Sequence, residues 1–157
     1  MSDEPSQPRI TPFLWFDHNA EDAVDFYLSV FKNSRRVSEL RNTADAPVPK
    51  GSVLVVSFEL DGQRFTALNG GPAFHFNESI SFVVRCDSQE EVDYFWSKLT
   101  ADGGSESQCG WLRDKFGLSW QIVPTRLQQL LKNPKAMHAM MRMKKLDIAE
   151  LERAGQE

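Results

Sequence analysis

The chain has only two cysteines in 157 residues, Cys86 and Cys109, and that scarcity removes whole classes of architecture. Two isolated thiols make neither a disulfide framework nor a zinc spacing, and they read as the reduced thiols of a cytoplasmic protein. Histidine is sparse as well. His18, His75 and His138 are scattered, with no pair at helical metal-ligand spacing and no paired carboxylates beside them. Positive charge is in deficit, 18 Lys and Arg against 22 Asp and Glu, so the basic face that nucleic acid requires is not expected. No apolar run approaches the ~18–20 residues that span a bilayer, which excludes a membrane-spanning reading. The opening "MSDEPSQPRI" lacks the basic start and apolar block of a secretory signal. It reads as a short disordered tail over residues 1–9.

What is present is the composition of a folded soluble protein, 41% hydrophobic and 25% charged. The length suits one ordinary domain, or two small modules sharing a core. "ITPFLWF" from Ile10 is a short apolar run, predicted as a buried strand. Asn19 is placed to cap the helix that follows, where Ala20, Ala23, Val24, Tyr27, Leu28 and Phe31 share one face. A strand is predicted over 34–41 and a loop over 42–50. "GSVLVVSFEL" and "QRFTALN" flank Asp61-Gly62, a hairpin signal because Asp-Gly tolerates the positive φ of a tight turn. "SISFVVRC" is a second buried strand. A second amphipathic helix follows, capped at Asp87 or Ser88 and stopped by Gly103-Gly104. Short strands are expected near 106–109, 111–114 and 118–123. From Pro134 a single methionine-rich helix is expected almost to the end.

The order β-α-β-β-β thus occurs twice. In the two helices Val24 aligns with Val92, Asp25 with Asp93, Phe26 with Tyr94 and Tyr27 with Phe95. An internal repeat points to two similar units, here about 10–69 and 80–124 of a domain spanning 10–124, with a helical extension over 125–157.

Four segments carry a resemblance: "NAEDAVDFYLSVF", "FTALNGGPAFHFNESISFVV", "CGWLRDKFGLSWQIVP" and "AMMRMKKLDIAELERA". Together, over residues 9–154, the chain resembles the PhnB-like branch of the vicinal-oxygen-chelate superfamily. Glyoxalase I, extradiol dioxygenases and bleomycin-resistance proteins belong to that superfamily, and the branch carries the label 3-demethylubiquinone-9 3-methyltransferase. The resemblance implies an α+β fold of paired βαβββ modules, their mixed sheets curving around a cleft with the helices outside, and it implies dimers. Carried over one at a time, the superfamily's metal-ligand places fall on Pro12, Phe65, Ser81 and Gln121. None is His or Glu, and the neighbours Phe13, Thr66, Phe82 and Trp120 are no better, so no metal site is expected.

Within that fold, alternation along the strands is expected to turn Leu14, Phe16, Phe65, Ala67, Asn69, Ser81, Val83, Ser119 and Gln121 into the cleft. Trp15, Phe82, Val84, Trp120 and Ile122 are expected under the helices. The ligand-binding candidates are therefore Phe16, Phe65, Asn69, Ser81, Ser119 and Gln121, in an apolar cleft with few polar groups. The catalytic candidates are His75, in the linker "GGPAFHFNE", and Cys109, near the cations Arg113 and Lys115 that favour a thiolate. Each has a purely structural alternative, a surface linker for His75 and a packed strand end for Cys109. The Met-rich face of the last helix, with Met137, Met140, Met141, Met143, Leu146, Ile148 and Leu151, either packs on its own domain, covers the cleft as a lid or forms a homodimer contact, the last being the reading favoured here.

The expected function is that of a small-molecule binder or metal-independent enzyme with no cofactor and an unidentified ligand. Two alternatives compete with it. A methyltransferase needs a glycine-rich loop opening a helix for S-adenosylmethionine, and the glycine pairs at 70–71 and 103–104 open none. A metal-dependent isomerase or dioxygenase needs the ligands that this chain lacks.

Overall fold

The computed structural model describes residues 8–156, so nearly all of the tail expected over 1–9 lies outside the described residues. Two compact units divide the chain after His75. The first contains β1 (Phe13–Phe16), α1 (Ala20–Val30), β2 (Arg35–Arg41), β3 (Val53–Leu60) and β4 (Gln63–Asn69). The second contains β5 (Ser81–Cys86), α2 (Gln89–Thr100), β6 (Ser105–Glu106), β7 (Trp111–Arg113) and β8 (Ser119–Pro124). Three short helices follow in that unit: α3 (Leu127–Leu130), α4 (Pro134–Met141) and α5 (Ile148–Gln156). The sheet orders are β1-β4-β3-β2 and β5-β8-β7-β6, the same arrangement twice. In each the outer first strand runs parallel to its neighbour and the remaining pairs are antiparallel. The repeat read from the helices is therefore a repeat of whole βαβββ units, and the fold is α+β as expected.

Local chemistry explains the elements. At the β3–β4 hairpin Asp61 and Gly62 both have positive φ, 47° and 84°, the conformation that Asp-Gly makes cheap. Helix α2 starts where Ser88 Oγ accepts from the Glu91 amide, while the Glu91 carboxylate accepts from the Asp87 amide, a near capping box. Helix α1 departs from expectation, because Asn19 makes no side-chain cap. Its first amide, that of Ala20, donates instead to Asn69 Oδ1 at 2.9 Å, and Asn69 Nδ2 donates to the Val53 carbonyl at 3.0 Å. A side chain at the end of β4 thus closes the start of the helix.

The core of the first unit lies between α1 and its sheet. Tyr27 stacks on Phe58 and Phe58 on Phe65, with centroids 6.5 and 5.4 Å apart. Leu14, Phe16, Phe65 and Ala67 share that buried face with Phe58. This reverses the expected facing of the first unit, in which these residues pointed away from the helix. Phe13, Leu14, Trp15 and Phe16 are apolar on both sides of the strand, so alternation identifies two faces without saying which one the helix covers.

In the second unit α2 buries Val92, Trp96 and Leu99 over Leu112, Trp120 and Ile122. The buried Asp114 organises the β7–β8 turn. One carboxylate oxygen accepts from the Phe116 and Leu118 amides, and the other from the Trp120 indole at 2.9 Å.

The single C-terminal helix expected from Pro134 is broken between Met141 and Ile148. Residues 143–148 act as a strap whose backbone groups are engaged elsewhere. The Cys109 and Gly110 amides donate to the Met143 and Lys144 carbonyls, both at 2.8 Å. Gln89 donates to the Leu146 carbonyl and accepts from the Ile148 amide. Met143, Leu146 and Leu151 form a buried cluster with Ala139 and Val123. The apolar stripe expected to meet a second copy is thus largely packed within its own unit, leaving Met137 and Met141 outward. Among the described residues no helix is long and apolar enough to cross a membrane.

Candidate functional site

On the first sheet, the face turned away from α1 carries Phe13, Trp15, Arg64, Thr66 and Leu68. Phe13 stands opposite Thr66 and Trp15 opposite Leu68. The Trp15 indole donates to the Gly71 carbonyl at 2.8 Å and meets Phe74 edge-on at 4.8 Å. A Cβ on Gly70 would fall 2.4 Å from the Trp15 ring, so only glycine fits there. The charges on this face satisfy one another. Arg64 and Arg35 both bind Glu59, and the Arg64 hydrogen bond is the chief reason its carboxyl is held below the ordinary range.

On the second sheet, the face turned away from α2 carries Ser81, Val83, Trp111, Arg113, Ser119 and Gln121. Gln121 Nε2 donates to Ser81 Oγ at 2.8 Å. Ser119 is 1% exposed, and its hydroxyl makes no hydrogen bond among the described residues. A buried hydroxyl without a partner costs about 1–3 kcal/mol, which sets Ser119 apart among the buried polar side chains of the described residues.

The sequence candidates separate on this geometry. Ser81, Ser119 and Gln121 come together on the face of the second sheet turned away from α2, Ser119 buried and the other two half-buried. Phe16, Phe65 and Asn69 do not lie on an open face; they lie under α1, and Asn69 is consumed by its helix-closing bonds. His75 is exposed at the end of the first unit and His138 is exposed on α4, while His18 is exposed with Nδ1 3.5 Å from Asp17. Cys109 sits in the β6–β7 turn at φ 59°, ahead of Gly110 at φ 85°, and not at a strand end. Trp111 and Arg113 were missed as members of the open face, although their alternation with the apolar Leu112 was a usable signal. Burial, helped by the charges of Glu91 and Asp87, pushes the Cys86 thiol up to about 12. Because the thiolate is the nucleophile, iodoacetamide at neutral pH is expected to modify Cys109 in the native protein and Cys86 only after unfolding. Peptide mass spectrometry reads this, and early labelling of Cys86 would contradict it.

A family model described as 3-demethylubiquinone-9 3-methyltransferase matches residues 8–123. The chain belongs to this family. A solved PhnB protein from Bacillus cereus, itself described as a 3-demethylubiquinone-9 3-methyltransferase, is 34% identical and superposes with a TM-score of 0.68. That match covers 75% of this chain and 100% of the relative. Protein PA1353 from Pseudomonas aeruginosa, at 21% identity and TM-score 0.60, covers 75% of this chain and 98% of its own. The fosfomycin resistance protein FosX from Mesorhizobium loti, at 12% identity and TM-score 0.56, covers 81% and 98%. The last two show the fold alone. No curated protein matches the chain.

Two groups that these relationships imply can be tested against the residues present. For a divalent metal, Phe65 lies under α1, and the places on the open face beside it are Phe13 and Thr66. With Ser81 and Gln121 in the second unit, the set contains no charged ligand, and among the described residues no three His, Cys, Asp or Glu side chains gather. The residues do not fit a metal. For S-adenosylmethionine, Gly70 is fitted to the Trp15 ring, and a Cβ on Gly104 would lie 2.8 Å from the Leu99 carbonyl oxygen at the end of α2. One glycine of each pair is fixed by packing, and neither pair opens a helix.

Proposed function

We propose that this family member binds a small organic molecule on the face of the β5–β8 sheet turned away from α2, through Ser81, Ser119 and Gln121, without a metal or other cofactor. The observation that carries this reading is the buried, unpartnered hydroxyl of Ser119 beside the hydrogen-bonded Gln121–Ser81 pair. A ligand supplies the missing partner. Small-molecule sites commonly combine a few fixed polar groups with apolar walls, and Val83 and Trp111 supply such walls here. The methyltransferase reading of the family description finds no supporting residues in this chain.

The test is a fragment library screened against 15N-labelled protein, with amide shifts mapped onto the sequence. Binders are expected to shift Ser81, Ser119 and Gln121, and titrated Zn2+ or Mn2+ is expected to show no saturable site on that face. Fragment shifts confined to other surfaces, or one equivalent of metal bound there, would overturn the proposal.

A further inference from the structure

We infer that the group recognised on this face is a carboxylate held by Ser81, Ser119 and Arg113; this rests on the binding reading above and adds the ligand's chemistry. The pairing register sets these side chains in one row across the sheet, Ser81 opposite Ser119 and Ser119 opposite Arg113. Ser119 and Arg113 stand opposite across an antiparallel pair, with Cβ atoms about 4.5–5.5 Å apart, and Ser81 is the neighbour across the parallel β5–β8 pair, one strand spacing of about 4.7–4.9 Å away.

Every member of the row offers a donor. A hydroxyl has one proton to give and two lone pairs. The Gln121 amide fills an acceptor position of Ser81 Oγ, which leaves the Ser81 proton for something else. Ser119 has neither donor nor acceptor engaged. The guanidinium of Arg113 cannot accept at all. Its carboxylate neighbour, Glu78, is 3.9 Å away, and the two side chains are 53% and 68% exposed. Such a pair is screened by water and is readily exchanged for a better one.

Two hydroxyl protons and a guanidinium, with no carboxylate in the row, call for a group that only accepts and carries negative charge. A carboxylate offers two coplanar oxygens to the planar guanidinium fork and directs its remaining lone pairs to the hydroxyls. A cationic ligand would meet the Arg113 guanidinium in the row, with Glu78, beside that guanidinium, as the nearby carboxylate. The adjacent row, Val83, Gln121 and Trp111, is apolar apart from one amide, so the body of the ligand is apolar and partly planar.

Phenylacetate and its neutral isostere phenylacetamide distinguish the possibilities when titrated into the 15N-labelled full chain. Phenylacetate is expected to shift Ser81, Arg113 and Ser119 saturably, and phenylacetamide to bind at least about tenfold more weakly. Arg113→Gln and Ser119→Ala are each expected to weaken phenylacetate about tenfold while the remaining spectrum stays unchanged, since one side chain is half exposed and the other loses only an unpartnered hydroxyl. Equal binding of the two probes on this face sinks the carboxylate and leaves the binding reading standing. So does a face that library fragments shift and phenylacetate does not, or one that inorganic phosphate saturates more tightly than phenylacetate. If neither these probes nor any fragment shifts the face, both readings fall together.

Discussion

Asn69→Leu is expected to lower the unfolding free energy by about 3 kcal/mol, although the residue sits at the end of a strand and looks like a ligand contact in the sequence. The amide side chain is buried, accepts from the Ala20 amide and donates to the Val53 carbonyl. Leucine keeps the same branching and number of heavy atoms and leaves both backbone groups without a partner, at about 1–3 kcal/mol each. Asn69→Asp separates the two contributions. It retains an acceptor and places a negative charge at the start of α1, where the helix dipole favours it, but it gives the Val53 carbonyl no donor. The Asp variant should therefore lose about half as much. Urea unfolding of the three proteins reads the series, and a Leu variant within about 0.5 kcal/mol of the parent would show that Asn69 does not hold α1.

The second large effect is expected at Leu146. Its side chain is fully buried in the cluster with Val123, Ala139, Met143 and Leu151. A Cβ added to Gly110 would stand 3.1 Å from Leu146, so the leucine packs directly on that turn. Leu146→Ala is expected to cost about 2–5 kcal/mol, the range for a buried leucine whose cavity only partly collapses. The loss should also loosen the strap, raising hydrogen exchange at the Cys109 and Gly110 amides that donate to Met143 and Lys144. Met141→Ala, on the outward side of α4, is the control and should stay within about 0.5 kcal/mol. A Leu146→Ala variant with unchanged stability and unchanged exchange at 109–110 would remove the strap from any structural role. The family match ends at residue 123, so the strap lies outside the matched region, yet it pins the turn that leads into Trp111 and Arg113.

Much of the architecture was legible because it is written in local chemistry. Period-2 and period-3.6 patterns marked both helices and most strands, Asp61-Gly62 marked its hairpin, and aligned helix residues exposed the doubled unit. In the second unit the facing was legible too. Ser81, Ser119 and Gln121 alternate with Phe82, Trp120 and Ile122, and only the apolar set suits the underside of a helix. In the first unit both sets were apolar, so the sequence alone determined that there were two faces. Packing of Tyr27 on Phe58, and of Phe58 on Phe65, decided which one α1 covers.

The C-terminal segment was misread for a different reason. Its composition favours helix throughout, but the Met143, Lys144 and Leu146 carbonyls are claimed by amides and a side chain far away in sequence. Long-range hydrogen bonds of that kind leave no local trace. The same holds for Ser119. From the sequence it is one serine among several, and only the closing of other groups around it made it a buried hydroxyl with nothing to bind.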